Sequence, residues 1–576
     1  MPQRNFEYRY RGPRNTPEER GGKPPSYSRT LENEHAMIIE RDLAVTLRDG
    51  AKVYVNVYRP ADERPVPPII AWSPYGKHVP FDPRRFLNAG VKEGDTSQYT
   101  AFEAPDPVFW VPSGYAVVNV DIRGTWYSEG TAHFLAPEEA QDFYDLVEWA
   151  GTQPWSNGKV GLSGVSYLAQ LQWRVAELNP PHLAAINPWE GWTDSYREVA
   201  THGGIPDTHF WPSLWNRWGA SKGEIEDLET ETKEHPLIDD FWRSKAADFS
   251  KIKAPALVVA SWTDQGLHTR GTFEGFKHIA SPQKWLIAHG QKKWAHYYVP
   301  ENARRLRTFF DHFLKGIDNE VKDWPKVLIE VRERNGVGTF RAEKEWPLAR
   351  TQYTKLYLNA AHGTLQTEPA PEARSVSYNA VCHDTAPADR AEFDIVFDRD
   401  TELTGYMKLR IFMSAEGADD LDVFVGLHKL DRDGKFVPMA YYAQFDDGPI
   451  ALGWLRASHR ELDPAKSTDW QPVHTHTREQ KLAPGEIVPL DIEIWPSGTH
   501  FGPGEKLRLI VQGTDINRYT KEKAPVYFRH EASVNKGRHT IHAGGKYESY
   551  LLACTSSTKT ARLCRWLTMP SSTTDR

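Results

Sequence analysis

Apolar and polar positions change rhythm twice along this chain. Met37–Leu47 and Lys52–Pro60 alternate the two types around Asp49-Gly50, which predicts a hairpin. Pro67–Trp72 and Gly114–Val120 are short apolar runs bounded by turn residues, as in strands buried on both faces. Pro137–Gly151 then takes helical spacing, with Phe143, Leu146, Val147 and Ala150 on one face. Val160–Leu162 is strand-like again, and Tyr167–Leu178 is a helix stopped by Pro180-Pro181. Leu183–Ile186, Ala256–Ala260 and Trp285–Ala288 continue the alternation. Glu301–Lys315 puts Leu306, Phe309, Phe310, Phe313 and Leu314 on one stripe, with Gly316 as its stop. Strands alternating with helices predict an α/β fold, a mostly parallel sheet covered on both faces.

The first change of rhythm spans Trp192 to Ser250. Aromatic and charged residues dominate there and strand-like runs disappear, which predicts a helical insertion of the kind that caps pockets. The second follows Asp323. From Val327 to Leu552 only short strand-like runs remain, such as Met407–Met413, Leu421–Leu427, Val488–Trp495 and Leu507–Gln512, separated by Asp, Gly and Pro turns. That texture predicts a β-sandwich or jelly roll. The expected organisation is an extended arm (1–35), a catalytic α/β domain (36–190 and 251–325), a helical cap (191–250), an all-β domain (326–554) and a loose Ser/Thr-rich tail (555–576).

A chain of 576 residues exceeds one hydrophobic core, in keeping with that division. With 39% apolar and 26% charged residues it reads as globular, and a net charge of −7 supplies no basic field for nucleic acid. No apolar run reaches the roughly 18 residues of a membrane span. The N-terminus lacks the apolar segment of a signal peptide. Three cysteines (Cys382, Cys554, Cys564) make no disulfide framework and point to a reducing, cytoplasmic setting. The expected partner is a small-molecule substrate, without nucleic acid, membrane or cofactor; homo-oligomerisation stays open. His474 and His476 would share a strand face, but no third ligand stands at a suitable spacing, so no metal is assigned.

The strongest chemical signal is Gly161-Leu162-Ser163-Gly164-Val165-Ser166-Tyr167-Leu168-Ala169, a strand that ends at a sharp turn and enters a helix. This is the setting of a nucleophile elbow, although Leu168 stands where its last glycine would be. A serine hydroxyl needs a histidine base, an orienting acid and oxyanion donors before it attacks a carbonyl. Asp264 follows the strand Ala256–Ala260, and His289 follows the next strand, in the order Ser, Asp, His. His289 is the preferred base because it directly follows a strand; His296 is the second choice and His268, beside Asp264, a third. The oxyanion donors expected are the Tyr167 amide and a group from Ser73-Pro74-Tyr75-Gly76-Lys77, either the Tyr75 phenol or a backbone amide. Trp189, Glu190, Trp192 and Trp262 are candidate pocket residues.

These segments resemble the cocaine esterase and X-prolyl dipeptidyl-peptidase superfamily, the CocE/NonD-type hydrolases. Ser73-Pro74-Tyr75-Gly76-Lys77, Asp121-Ile122-Arg123-Gly124, Gln153-Pro154-Trp155-Ser156-Asn157-Gly158, Gly164-Val165-Ser166-Tyr167 and Phe309-Phe310-Asp311-His312-Phe313-Leu314-Lys315-Gly316 carry the likeness. Gly453-Trp454-Leu455-Arg456 and His539-Thr540-Ile541-His542-Ala543-Gly544-Gly545 extend it into the β region. The resemblance implies an α/β-hydrolase core, a helical cap, a C-terminal jelly roll and a Tyr75 phenol in the oxyanion hole. One branch of the family selects His296 through its Trp-x-His; the branch with histidine directly after the strand selects His289, and the Lys-Lys-Trp spacing resembles the latter. The expected activity is hydrolysis of an ester or amide through an acyl-enzyme. The rivals are acyl transfer or X-prolyl aminopeptidase action by the same residues, and a carbohydrate-binding or scaffold role for the jelly roll.

Overall fold

Runs of six consecutive buried residues build the centre of the protein, because a strand covered on both faces has no polar side to present. The computed structural model describes residues 5–556, apart from 83–85, 87, 383–387 and 525. The first sheet contains β1 (Met37–Thr46), β2 (Lys52–Pro60), β3 (Pro68–Ser73), β4 (Ala116–Asp121), β5 (Val160–Val165), β6 (Leu183–Trp189), β7 (Ala256–Ser261), β8 (Lys284–His289) and β9 (Val327–Arg334), with Ser28–Glu32 added antiparallel to β1 and Val337–Glu343 to β9. Their order is β1-β2-β4-β3-β5-β6-β7-β8-β9. β1–β2 and β2–β4 are antiparallel, and all later neighbours are parallel. The parallel strands aim their carboxyl ends at one edge, where loops can gather chemistry.

Helices cover both faces. α1 (Pro137–Gly151) buries Phe143, Leu146, Val147 and Ala150, the face its spacing predicts, and Phe143 stacks on Trp72 of β3 at 4.6 Å. α2 (Tyr167–Ala176) follows β5 and is buried along its whole length. α3 (Phe210–Trp218) lies in the insertion, which among the described residues also holds short helices at Leu228–Glu234 and Asp240–Ser244 and a π-turn at Tyr196–Ala200. α4 (Thr269–His278) follows β7 and α5 (Lys293–Tyr298) follows β8. α6 (Pro300–Lys315) ends at Gly316 with φ 71°, the left-handed cap that stops a helix.

Beyond β9 the described residues form strands joined by loops, with a 3-10 turn at Ala457–His459. One layer runs Gln352–Asn359, Tyr550–Ser556, Thr401–Ala415, Val488–Phe501; the other runs Arg390–Val396, Lys506–Gln512, Asp422–Leu430, Ala451–Arg456, with all neighbours antiparallel. Leu409, Ile411 and Leu490 of the first share one buried cluster with Val423, Val425 and Leu509 of the second. Arg332 of β9 joins the two halves. It is buried, pairs with Thr499, and donates to the Ile450 carbonyl at 3.0 Å and to Ser497 Oγ at 2.9 Å.

The extended arm lies on the protein: Tyr10–Arg11 pairs with Ile225–Glu226 of the insertion, and Ser28–Glu32 pairs with β1. Thr555 and Ser556, expected in the tail, continue the last strand opposite Gln352 and Glu402. The rest of the tail, with Cys564, and residues 1–4 lie outside the described residues. Among the described residues no helix is long and apolar enough to cross a membrane.

Candidate active site

Ser166 occupies the one-residue turn between β5 and α2, with φ 61° and ψ −118°. A side chain in that region costs about 1–3 kcal/mol and persists only where neighbours enforce it. Here the enforcement is visible. The Ser166 amide donates to the Trp189 carbonyl at 3.0 Å and the Val165 amide to that of Glu103 at 3.1 Å. Gly164 (φ 155°) lies under the turn, where a Cβ would come within 2.6 Å of Leu168 Cβ. The missing last glycine of the motif is thereby explained. Leu168 seats on Gly164, and Ala169 seats against Gly191, where a Cβ would stand 2.9 Å from its own.

Asp264 lies past the end of β7. Its carbonyl accepts from the amides of Leu267, His268 and Thr269, so the loop coils into a turn that leads straight into α4. Residues four apart on such a turn share a face. His268 Nδ1 meets Asp264 Oδ2, and its Nε2 lies 3.1 Å from Ser166 Oγ. Trp192 stacks on the imidazole, 5.5 Å between ring centroids. Lys293, the first residue of α5, reaches Asp264 Oδ2 at 3.0 Å and stands 3.3 Å from His268 Nδ1.

The preferred base, His289, is not brought to Ser166. It ends β8 facing the other way: Nε2 is 3.0 Å from Glu190 Oε1, and Nδ1 accepts from the Gln291 amide at 3.2 Å. His296 packs against it at 4.0 Å between ring centroids, also away from the serine. The position after β8 that faces Asp264 is filled by Lys293, not by an imidazole. A residue at the edge of a strand has two faces to choose from, and chain order alone does not decide between them. The i, i+4 spacing of Asp264 and His268 was the signal for the pair that does meet.

Burial dominates the electrostatics. It pushes His268 down to about 4, with the Lys293 charge acting in the same direction. Burial favours the protonated form of Asp264, but Lys293 and His268 outweigh it and hold the carboxyl below its usual range. Glu190 moves up through burial and the Asp264 charge, and accepts from Ser261 Oγ at 2.6 Å.

The Tyr75 phenol hydrogen-bonds with the Ser166 side chain. Burial, and then the nearby Glu103 carboxyl, raise it well above the usual phenol value, so it remains an O–H donor. The Tyr167 amide is the first backbone N–H after Ser166, and its ring is anchored below the turn by a bond to Glu139 at 2.6 Å. Glu139 also accepts from Trp72 Nε1 at 2.9 Å and from the Leu135 amide at 2.6 Å.

A narrow cleft, partly open to solvent, lies above Ser166. Three parts of the chain wall it: Tyr75, Phe102 and Trp294 from the sheet domain, Phe210 and Leu214 from α3, and Tyr442 and Val526 from the all-β domain. None of the four expected pocket residues lines it. Trp189 packs on Tyr297, Glu190 binds Ser261, and Trp192 backs the imidazole. Trp262 donates to the Glu330 carbonyl at 2.7 Å beneath Gly498. His474 and His476 are buried elsewhere, with His476 Nδ1 3.0 Å from His459 Nδ1. A polarised serine, an imidazole with an acid behind it and a phenol donor, all under an aromatic cleft, form a set that can move a proton from an attacking hydroxyl to a leaving group.

Several known proteins resemble the chain. The model for the X-Pro dipeptidyl-peptidase (S15) family matches residues 49–224 and 216–298, and that for the X-Pro dipeptidyl-peptidase C-terminal non-catalytic domain matches 319–552. A CocE/NonD family hydrolase from Staphylococcus aureus is 45% identical with a TM-score of 0.86, covering 90% of this chain and 94% of its own. Cocaine esterase from Rhodococcus sp. (strain MB1 Bresler) is 25% identical over 89% of this chain and 98% of its own. An α-amino acid ester hydrolase shares the fold at 18% identity and a TM-score of 0.68, over 92% of this chain and 98% of its own. The protein is a serine hydrolase with an α/β-hydrolase-like core and a C-terminal all-β domain. Its 45% identity across nearly the whole of the staphylococcal enzyme places the chain in the CocE/NonD hydrolase family, within the cocaine esterase and X-prolyl dipeptidyl-peptidase superfamily.

Proposed function

We propose that the protein hydrolyses an ester of a small organic acid through a Ser166–His268–Asp264 triad. The carrying observation is the continuous chain from Ser166 Oγ through both ring nitrogens of His268 to Asp264, at the floor of the cleft. Ser166 Oγ attacks the acyl carbon while His268 Nε2 takes its proton. Asp264 holds Nδ1–H in place and stabilises the imidazolium. The Tyr75 O–H and the Tyr167 N–H receive the negative charge on the carbonyl oxygen. Collapse expels the alcohol, which takes the proton from Nε2. Water then repeats the sequence on the acyl-enzyme and releases the acid and free Ser166.

Residues 191–250 act as the cap, because Phe210 and Leu214 on α3 form part of the cleft wall. The all-β region 326–554 is assigned as a jelly roll, and it shapes the site through Tyr442 and Val526. The free, buried thiol of Cys554 fits a cytoplasmic setting. Labelling with a fluorophosphonate probe tests the triad: wild type should react, and Ser166→Ala should not. Hydrolysis of p-nitrophenyl acyl esters, compared with X-Pro p-nitroanilides, tests the substrate class. Turnover of the anilides alone would replace the esterase assignment with a peptidase one.

A further inference from the structure

We infer that Lys293 is a positioning residue for the chemistry of Ser166. Its ammonium shares Asp264 Oδ2 with His268 Nδ1 and, by repelling a second positive charge there, keeps that imidazole neutral and able to accept a proton. The inference rests on His268 as the base.

The geometry separates this role from an ordinary brace. Lys293 is 4% exposed, and a buried ammonium is costly unless it is paired. Its partner is the oxygen already used by the imidazole, while Asp264 Oδ1 has no hydrogen-bond partner among the described residues. A lysine that only held the carboxylate would be free to take Oδ1. On Oδ2 it stands 3.3 Å from His268 Nδ1, beside the positive charge that the ring gains when Nε2 takes a proton. Its own N–H groups also limit how much of the Oδ2 charge the imidazole can use. The ammonium lies over the Trp294 ring, 5.1 Å from its centroid, which fixes its height beside the relay.

The other groups around this pair do not cancel the effect. Glu103 comes from the loop before β4 and Glu190 from the end of β6. Both are buried with raised values, Glu103 near 8, and Lys293 opposes that rise in each. Tyr75 and Tyr442 face the site as neutral phenols raised by burial, and His289 behind it is pushed down to about 3 by burial. The cation acting on Asp264, Glu103 and Glu190 alike is Lys293. His268 is held near 4 by burial and then by Lys293, against the pull of Asp264.

The test is the pH dependence of kcat/KM and of fluorophosphonate labelling for the full chain as wild type, Lys293→Met and Lys293→Arg. Wild-type labelling should reach half its maximum below about pH 5. In Lys293→Met the acid limb should move up by about one unit or more, and Lys293→Arg, which keeps the charge, should bring it back towards wild type. A Lys293→Met enzyme slowed equally at every pH, with its limb unmoved, would reduce Lys293 to a brace. If that variant does not fold, the wild-type profile still decides, since a half-maximum at pH 6.5 or above overturns the inference. His268→Ala is the separate control: labelling that survives in it removes the base assignment rather than the role of Lys293.

Discussion

Replacing Tyr75 by Phe removes one oxygen and tests the oxyanion assignment with little else disturbed. The ring is buried, set edge-on against Phe102 at 5.2 Å and against Tyr167 at 6.4 Å, and phenylalanine keeps both contacts. What disappears is the hydroxyl that hydrogen-bonds with Ser166. Ser166 retains His268 at 3.1 Å, so the stability loss should be that of one modest hydrogen bond, about 1 kcal/mol. The transition state loses more. A donor aimed at a developing oxyanion in a dry site contributes about 3–4 kcal/mol, which is roughly a 100- to 1000-fold fall in kcat. The ground-state carbonyl carries little charge, so KM should stay within about threefold. Steady-state hydrolysis of a p-nitrophenyl ester reads both constants, and urea unfolding reads the stability. A kcat within threefold of wild type, or a loss confined to KM, would refute the oxyanion role.

Four further outcomes follow from the same geometry. His268→Ala should abolish fluorophosphonate labelling, whereas His289→Ala, which faces Glu190, should retain it; the reverse pattern restores the base expected from chain order. Gly164→Ala forces a Cβ to within 2.6 Å of Leu168 Cβ and should destabilise the protein by about 1–3 kcal/mol or more and slow labelling. A variant as stable and reactive as wild type would show that the elbow is not tightly packed. Glu103→Gln tests a buried acid: burial raises this carboxyl from its ordinary 4.5 to about 8, so its contribution is fully present below pH 4.5 and is lost as pH rises through 8. Wild type should therefore lose stability relative to Glu103→Gln across that window, on the order of 5 kcal/mol in urea unfolding, and a constant difference would sink the assignment. Phe210→Ala should open the cleft wall and raise KM for bulky acyl esters more than for acetate; equal effects on both would place α3 outside the acyl pocket.

What could be read from the sequence depended on whether the signal was local. α1 and the elbow are written in consecutive residues, the first in helical spacing and the second in a strand that ends at Gly164-Val165-Ser166. The cleft is not written that way. Phe210, Tyr442 and Val526 meet only because the insertion and the all-β domain fold back over the same sheet edge. The tryptophans and Glu190 chosen from the neighbourhood of β6 and β7 were near in sequence, but pack beneath or behind the triad. The base falls between these cases. The Asp264–His268 turn is local, four residues long, and carries its own signal in the face shared at that spacing. The loop after β8 offered two histidines in the expected order, and order was the weaker guide.

The position of His268 has a consequence that a histidine after β8 would not carry. His268 is the N-cap residue of α4, so its ring stands at the positive end of a helix, next to the Lys293 ammonium and against the Trp192 face. A helix N-terminus disfavours a cation by about 0.3–1 kcal/mol, and burial with a neighbouring ammonium adds to this. Asp264 opposes all three from within the same turn. The imidazole is therefore a weak base held in perfect reach of Ser166 rather than a strong base held loosely. Its proton is returned readily to the leaving group, and acylation depends on how well Tyr75 and the Tyr167 amide stabilise the charge formed. On this arrangement Tyr75→Phe and Lys293→Met should not be additive, since a more basic His268 compensates in part for a poorer oxyanion hole. At pH 8, where His268 is neutral with or without Lys293, the double variant should lose less than Tyr75→Phe alone, and a double variant no faster than Tyr75→Phe would show that the added basicity does not compensate.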